Sequence, residues 1–325
     1  MINNQIGIIG VGYWGTNIVN VIVKLNIKKI YCYDKNKENL KEIKRKFPNI
    51  ITYNSFKEFL NLNISGVIIA VNTNDHYEVA KKCLEKGFNI FVEKPVTSDS
   101  KKLINLEKLA QKKKKFIMSG YIYLYNNYVQ YIKKIIKKNL LGKILYVSFE
   151  RLNLGPVRND VSSAWDLSSH DIAICIYLFG NKLKILNTSG YAILKTKIND
   201  ICSVSARSGD IKIDFRSSWL NPEKIRKIVI VGKKKMILFN EMDFKNPIKI
   251  FNKYASYPKV NKFNKNFFTQ KANIYLGSTL SPKIKSQSPL ENEMKEFIKC
   301  IKLKKKPLTG TKISYKVLRI LQNLN

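Results

Sequence analysis

Three side chains in this sequence have the type and spacing to handle a proton beside a reacting oxygen: Lys94, Asp166 and His170. Lys94 stands in Glu93-Lys94-Pro95, directly after the apolar run 90–92. A short apolar run of that kind fits a buried parallel strand, which puts the lysine at the carboxyl edge of a sheet, where ligands of open α/β folds bind. An ammonium there can hydrogen-bond an oxygen and steady its charge as a carbonyl becomes an alcoholate. Pro95 would stiffen the bend that aims it; the plain alternative is a surface lysine before a loop proline. Trp165-Asp166-Leu167-Ser168-Ser169-His170-Asp171 opens an apolar helix. Helical geometry from Asp166 puts Asp166 and His170 on one face, where the carboxylate can orient the imidazole. His170 could then take a hydroxyl proton as hydride leaves the same carbon, or it could be a hydrogen-bonded core histidine. The sequence has only two histidines, His76 and His170, so there are few candidates for such a base. Arg158, just upstream, suits a phosphate or carboxylate held by two parallel hydrogen bonds, or a salt bridge within its own loop.

A hydride needs an acceptor, and the N-terminus offers a place for one. Gly10-Val11-Gly12-Tyr13-Trp14-Gly15 follows the apolar run 6–9 and opens a segment in which Ile18, Val19, Ile22 and Val23 recur at helical spacing. In this context the first glycine permits a tight turn and Gly12 leaves room for a pyrophosphate. Gly15 lets helix and strand pack closely, while the helix N-terminus attracts negative charge. Asp34 ends the next apolar run and stands where a carboxylate accepts hydrogen bonds from both adenosine ribose hydroxyls; otherwise it is an exposed turn aspartate. A carboxylate repels a 2'-phosphate, which favours NAD over NADP. Lys35 weakens that preference.

These residues need a scaffold, and the alternation of the first 120 residues supplies one. Runs at 6–9, 30–33, 67–71, 90–92 and 116–118 read as parallel strands. Between them, helical periodicity recurs, as in Val79, Ala80, Cys83 and Leu84 before Gly87. Beyond residue 120, strand candidates follow one another at 144–152, 183–192, 201–207, 211–219, 225–231 and 236–240, and turn residues separate several of them. Helices are expected at 129–138, 167–179 and 290–301. Ile313, Val317, Ile320, Leu321 and Leu324 share a last helical face. The expected class is therefore α/β: a Rossmann domain over 1–120 and an α+β domain with a mostly antiparallel sheet over 121–307. A C-terminal helix over 308–325 is expected to pack back on the first domain. The segment 252–288 carries no periodicity that assigns it.

Composition narrows the partners. Fifty-nine Lys and Arg against 23 Asp and Glu give a net charge of +36. Lysines are spread along the chain and accompany many Ile and Asn residues, whose codons share an A- and T-rich bias, so base composition accounts for much of the excess. Attraction of an anionic substrate is the next reading. No nucleic-acid motif accompanies the charge, and no nucleic-acid partner is expected. No run approaches the ~20 apolar residues of a membrane-spanning helix, and the start lacks a secretory pattern. Five scattered cysteines without metal-ligand spacing suggest free thiols in a reducing compartment, and a cytoplasmic protein without a structural metal.

With Gly10 to Gly15 continuing into Thr16-Asn17, the strand and loop from Val67 to His76, Gly87 to Pro95, Gly120-Tyr121 and Asp166 to Asp171, the chain resembles the glucose-fructose oxidoreductase and inositol dehydrogenase family (Gfo/Idh/MocA) over essentially its whole length. That resemblance implies a Rossmann domain plus an open-faced sheet used for substrate and subunit contacts, hence a homo-oligomer, dimer or tetramer. It implies Lys94 and His170 as the catalytic pair with Asp166 next to the substrate. Gly10, Gly12, Tyr13, Trp14, Gly15, Asp34, Asn72, His76, Glu93 and Lys94 would line the NAD site, and Lys94, Arg158, Asp166 and His170 the substrate. The implied reaction is NAD(P)-dependent hydride transfer at a ring alcohol or ketone of a nucleotide-linked amino sugar or a polyol; the rival is a non-catalytic nicotinamide-sensing regulator. The chain departs from the family in carrying Ala70-Val71-Asn72 where Ala-Thr-Pro is common, and Asn126-Asn127 where His-Pro is common. His76 keeps its place in the pattern, as a cofactor contact or as a cap for the helix that follows.

Overall fold

The structure is a computed structural model, and it describes residues 5–158, 161–180, 183–194, 197–256 and 272–324. The chain divides into two compact units, Met1–Asn126 with Gln287–Arg319, and Asn127–Ser286 with Ile320–Asn325.

The first unit is built on six parallel strands, β1 (Gln5–Ile9), β2 (Lys29–Tyr33), β3 (Ile51–Tyr53), β4 (Gly66–Ile69), β5 (Asn89–Glu93) and β6 (Ile117–Gly120), in the order β3-β2-β1-β4-β5-β6. This is the doubly wound dinucleotide-binding arrangement expected from the alternating pattern, with its strand order reversing beside β1. Crossover helices α1 (Tyr13–Lys24), α2 (Lys37–Lys46), α3 (Phe56–Leu60), α4 (His76–Glu85) and α5 (Ser100–Lys112) connect the strands. Ile18, Val19 and Ile22 bury one face of α1, as their spacing predicts. The sequence reading did not assign α2, β3, α3 or α5. In α2 only Leu40 and Ile43 are buried within a charged segment, so its apolar stripe is too thin to stand out.

The second unit contains α6 (Asn127–Lys137), β7 (Ile144–Leu154), α7 (Ser169–Phe179) and seven further strands. These are β8 (Leu183–Tyr191), β9 (Ile201–Ser208), β10 (Ile211–Ser218), β11 (Leu220–Gly232), β12 (Met236–Asn240), β13 (Ile248–Ser256) and β14 (Asn273–Leu280). They form one sheet in the order β14-β13-β12-β11-β7-β10-β9-β8, antiparallel except where β7 runs parallel to β10. Alternate residues of β9 are buried, so one face of that strand is covered and the other open. The second half of β13 and all of β14 lie within the segment 252–288 that the sequence left unassigned, of which 257–271 fall outside the described residues. Beyond its polar first turn α7 is apolar, and most of its residues are buried, as expected of a core helix rather than a surface one.

Helix α8 (Pro289–Leu303), which the sequence reading groups with the second domain, belongs to the first unit. Phe297 meets Phe91 and Phe116 edge-on at 6.1 and 6.0 Å, and a Cβ on Gly66 would touch Ile301 and Phe297. Burial of those apolar side chains draws the helix to the Rossmann sheet. The last helix, α9 (Thr311–Gln322), bonds to the same sheet through Ser314 and Ser119, while the last residues, from Ile320, count with the second unit. Among the described residues no helix is long and apolar enough to cross a membrane.

Candidate active site

The glycine loop has the geometry its spacing requires. Gly10 has φ +87°, and a Cβ there would lie 2.6 Å from the Ala70 carbonyl oxygen; one on Gly15 would lie 1.9 Å from the Gly10 oxygen. Both positions are therefore closed to any side chain. Gly12 differs, because a Cβ there would meet only the Asn39 amide nitrogen, at 3.9 Å. Its open side faces the start of α1, whose first turn carries no acidic side chain and whose leading N–H groups lack helical acceptors. Beside it lies a cavity of about 730 Å³ walled by Gly10, Gly12, Tyr13, Trp14, Asp34 and Asn72 among the expected residues. Room over Gly12, a helix N-terminus and an adjoining cavity fit a dinucleotide pyrophosphate.

Asp34 is buried at the end of β2, and its carboxylate is already well used. Oδ2 accepts from the Val11 N–H at 2.8 Å and the Asn39 amide at 3.1 Å; Oδ1 accepts from the Asn36 N–H at 2.8 Å. A carboxylate has about four acceptor positions, so about one is left for a ribose hydroxyl, and a second ribose bond requires Asn39 to turn away. Asp34 thus also ties β2 to the glycine loop, a role its spacing alone did not reveal. Lys35, Asn36, Asn39, Phe56, Asp75, Glu78, Val79 and Lys82 also line the cavity. Of these, sequence reasoning had singled out only Lys35 and, as part of a helix, Val79. The usable signal for Asp75, Glu78 and Lys82 was their three- and four-residue spacing with Val79 along one face leading into α4.

The other expected residues of this unit do not line the cavity. His76 is buried, with Nδ1 2.7 Å from the Pro95 carbonyl and Nε2 3.0 Å from the Val71 carbonyl. It ties the loop after β4 to the turn after β5. Burial pushes its imidazole below the usual histidine range, although the two carbonyls and Asp75 pull the other way. Glu93 accepts from the Trp14 indole N–H at 2.6 Å and the Lys94 N–H at 3.2 Å, which joins the Glu93-Lys94-Pro95 turn to the first turn of α1. Burial raises its carboxyl, against those two donors and the Lys94 charge. A Cβ on Gly120 would lie 2.6 Å from Glu93 Oε2, so that glycine makes room for this carboxylate. The peptide bond between Lys94 and Pro95 is cis.

In the second unit the expected uniform helix from Asp166 is replaced by a π-helical turn, Ala164–Ser168, that runs into α7. Such wide turns are rare and concentrate at functional sites. Asp166 accepts from the Trp219 indole N–H at 3.3 Å, and Arg158 Nη1 stands 3.7 Å from Asp166 Oδ1. Arg158 therefore makes an ion pair, and its partner is the expected substrate-side carboxylate. His170 lies half-buried in the first turn of α7. The next residue, Asp171, makes a buried ion pair with Arg151 of β7, with Arg151 Nε and Nη2 reaching the carboxylate at 3.1 and 2.7 Å. Neither Trp219 nor Arg151 was picked out from sequence, where each reads as an ordinary strand residue. Among the described residues no His, Cys, Asp or Glu cluster could hold a metal ion, and all five cysteines are buried and free.

Residues 4–121 match the family GFO_IDH_MocA, described as an oxidoreductase family with an NAD-binding Rossmann fold. UDP-N-acetylglucosamine 3-dehydrogenase of Acidithiobacillus ferrooxidans is 25% identical over 203 residues, 61% of this chain and 61% of that protein. Its solved structure matches with a TM-score of 0.81 and 19% identity, covering 100% of this chain and 97% of the other, so the two-part fold is shared throughout. Scyllo-inositol 2-dehydrogenase (NADP(+)) of Bacillus subtilis is 27% identical over 54% of this chain and 52% of that protein. 2,7-Anhydro-N-acetylneuraminate hydratase of Escherichia coli is 29% identical over 43% of this chain and 37% of that protein. The chain thus matches less than two thirds of the length of each of these curated relatives.

Proposed function

We propose that this protein is a NAD-dependent dehydrogenase or reductase that moves hydride between nicotinamide and a CH–OH carbon of a sugar, a polyol or a nucleotide-linked amino sugar. The observation that carries the reading is a glycine cradle open at Gly12 in the same unit as β5, which leads into Lys94; Asp166 and His170 are assigned from their spacing at the start of α7. When bound, the nicotinamide supplies the hydride acceptor or donor. In the oxidative direction His170 takes the hydroxyl proton, Lys94 hydrogen-bonds the same oxygen as it becomes a carbonyl, and hydride leaves the carbon that bears it. Asp166, held by Trp219 and Arg158, faces the substrate. Glu93 aligns Lys94 with the cofactor loop through Trp14.

The names of the relatives, an N-acetylglucosamine nucleotide dehydrogenase and an inositol dehydrogenase, support a sugar or sugar-derived substrate. The net charge of +36 and Arg158 favour an anionic one. Asp34 supports NAD over NADP. Five buried thiols, none of them paired, suit the reducing cytoplasm. The exposed Ile274, Leu276 and Leu280 of the edge strand β14 support a homo-oligomer. Light scattering tests that point: a multiple of 37.6 kDa is expected, and a monomeric mass overturns it.

The functional test is steady-state NADH formation with UDP-N-acetylglucosamine, inositols and simple hexoses. Saturable turnover with at least one of them is expected. Tight NAD binding without turnover on any of them, in either direction, contradicts the enzymatic reading and favours a dinucleotide sensor.

A further inference from the structure

The cavity beside the glycine loop holds an ion pair that bears on cofactor choice. Two ammonium groups belong to its wall, Lys35 and Lys82, and both are engaged. Lys35 Nζ lies 3.3 Å from Asp75 Oδ2, across the cavity mouth between the end of β2 and the start of α4. Lys82 Nζ sits 5.7 Å above the Phe56 ring. Lys35 directly follows Asp34, the carboxylate in position for the adenosine ribose, so it is the cation best placed to meet a phosphate on the ribose 2' oxygen. A cation at that place is what lets a Rossmann site accept the phosphorylated cofactor. Asp75 draws it aside and adds a negative charge to a wall that already carries Asp34 and Glu78.

We propose that Asp75 is a specificity-determining residue: by pairing with Lys35 it keeps that ammonium from a 2'-phosphate and biases the site toward the unphosphorylated dinucleotide. This rests on the reading of Asp34 as the ribose partner and of NAD as the cofactor. The pair is exposed, 74% for the lysine side chain and 46% for the aspartate, so removing it should leave the fold intact. Asp75 also makes no side-chain cap to α4, so helix capping does not depend on it.

The test is a double-mutant cycle on cofactor dissociation constants in the full-length protein, with NAD+ and NADP+ as probes. Asp75→Asn is expected to tighten NADP+ by about two- to fivefold, the scale of one exposed charge pair, while NAD+ changes by less than about twofold. Adding Lys35→Gln to Asp75→Asn is expected to cancel the gain, since the freed ammonium is its source. Asp75→Ser should reproduce Asp75→Asn if the asparagine variant folds poorly. The proposal is overturned if NADP+ binding does not change, if both cofactors tighten equally, or if the gain survives loss of Lys35. Wild-type protein that binds NADP+ more tightly than NAD+ would instead defeat the NAD reading, and the cycle would still decide the role of Asp75 on its own.

Discussion

Gly12 and Gly15 are both small residues in one loop, yet they are small for different reasons. A Cβ on Gly15 collides with the Gly10 carbonyl, whereas one on Gly12 meets nearly nothing. Gly15→Ala should therefore destabilise the fold. Gly12→Val should melt within a few degrees of wild type but lose most of its NAD affinity, because its methyls occupy the space a pyrophosphate needs. Thermal melts with and without NAD separate the two: cofactor should raise the melting temperature of wild type and not of Gly12→Val. A Gly12→Val protein that still binds NAD at wild-type affinity contradicts the cradle. At this scale the motif residues were legible because a glycine spacing encodes backbone geometry directly. Asp34 was only half legible, since its bond to Asn39 depends on a helix whose apolar stripe is too thin to stand out. Trp219 was invisible for a related reason: nothing in a strand sequence says which buried indole will meet a carboxylate from a distant turn.

Two helices show what positions the chemistry. α7 is a core helix, so its charged first turn must be paid for locally, and the buried Arg151–Asp171 pair does this next to His170. Arg151→Met leaves Asp171 buried and unpaired and should cost about 3–5 kcal/mol in denaturant unfolding. Arg151→Met with Asp171→Leu should recover much of that loss; a single variant as stable as wild type would show the pair to be idle. α8 carries the second case. Glu293 is fully buried with neither carboxyl oxygen hydrogen-bonded, and burial, with Glu93 and Glu296 nearby, raises its carboxyl well above the usual range; Tyr125 is the other titratable group close to it. A raised folded value means the group favours the folded chain below the ordinary carboxylate range and loses that contribution as pH rises through the folded value. Wild type should therefore lose stability as pH rises above the ordinary carboxylate range, and Glu293→Gln, which mimics the neutral acid, should flatten that slope. Melting curves from the ordinary carboxylate range upward check this, and identical slopes would contradict it. The amphipathic pattern of α8 was readable in the sequence, but its membership of the Rossmann unit was not, because periodicity tells which face is buried and not what it is buried against.

At the scale of the molecule, the parallel-sheet half was legible because alternating strands and helices leave few topologies. The antiparallel half was legible as a class, while its strand order, including the parallel contact of β7 with β10, rests on long-range pairings that no local pattern encodes. The residues proposed for catalysis are divided between the two units, Lys94 in one and Asp166 and His170 in the other. The central claim is that they act as one device on one oxygen. Its most direct test is a cycle of Lys94→Met, His170→Asn and the double variant, measured as kcat with the best substrate of the panel. Each single change should lower kcat by roughly 10²–10⁴-fold. NAD binding should stay within a few-fold of wild type, and the double variant should be little worse than the weaker single one, because residues that act as a unit are strongly non-additive. Fully multiplicative losses, or turnover untouched by either change, would contradict it.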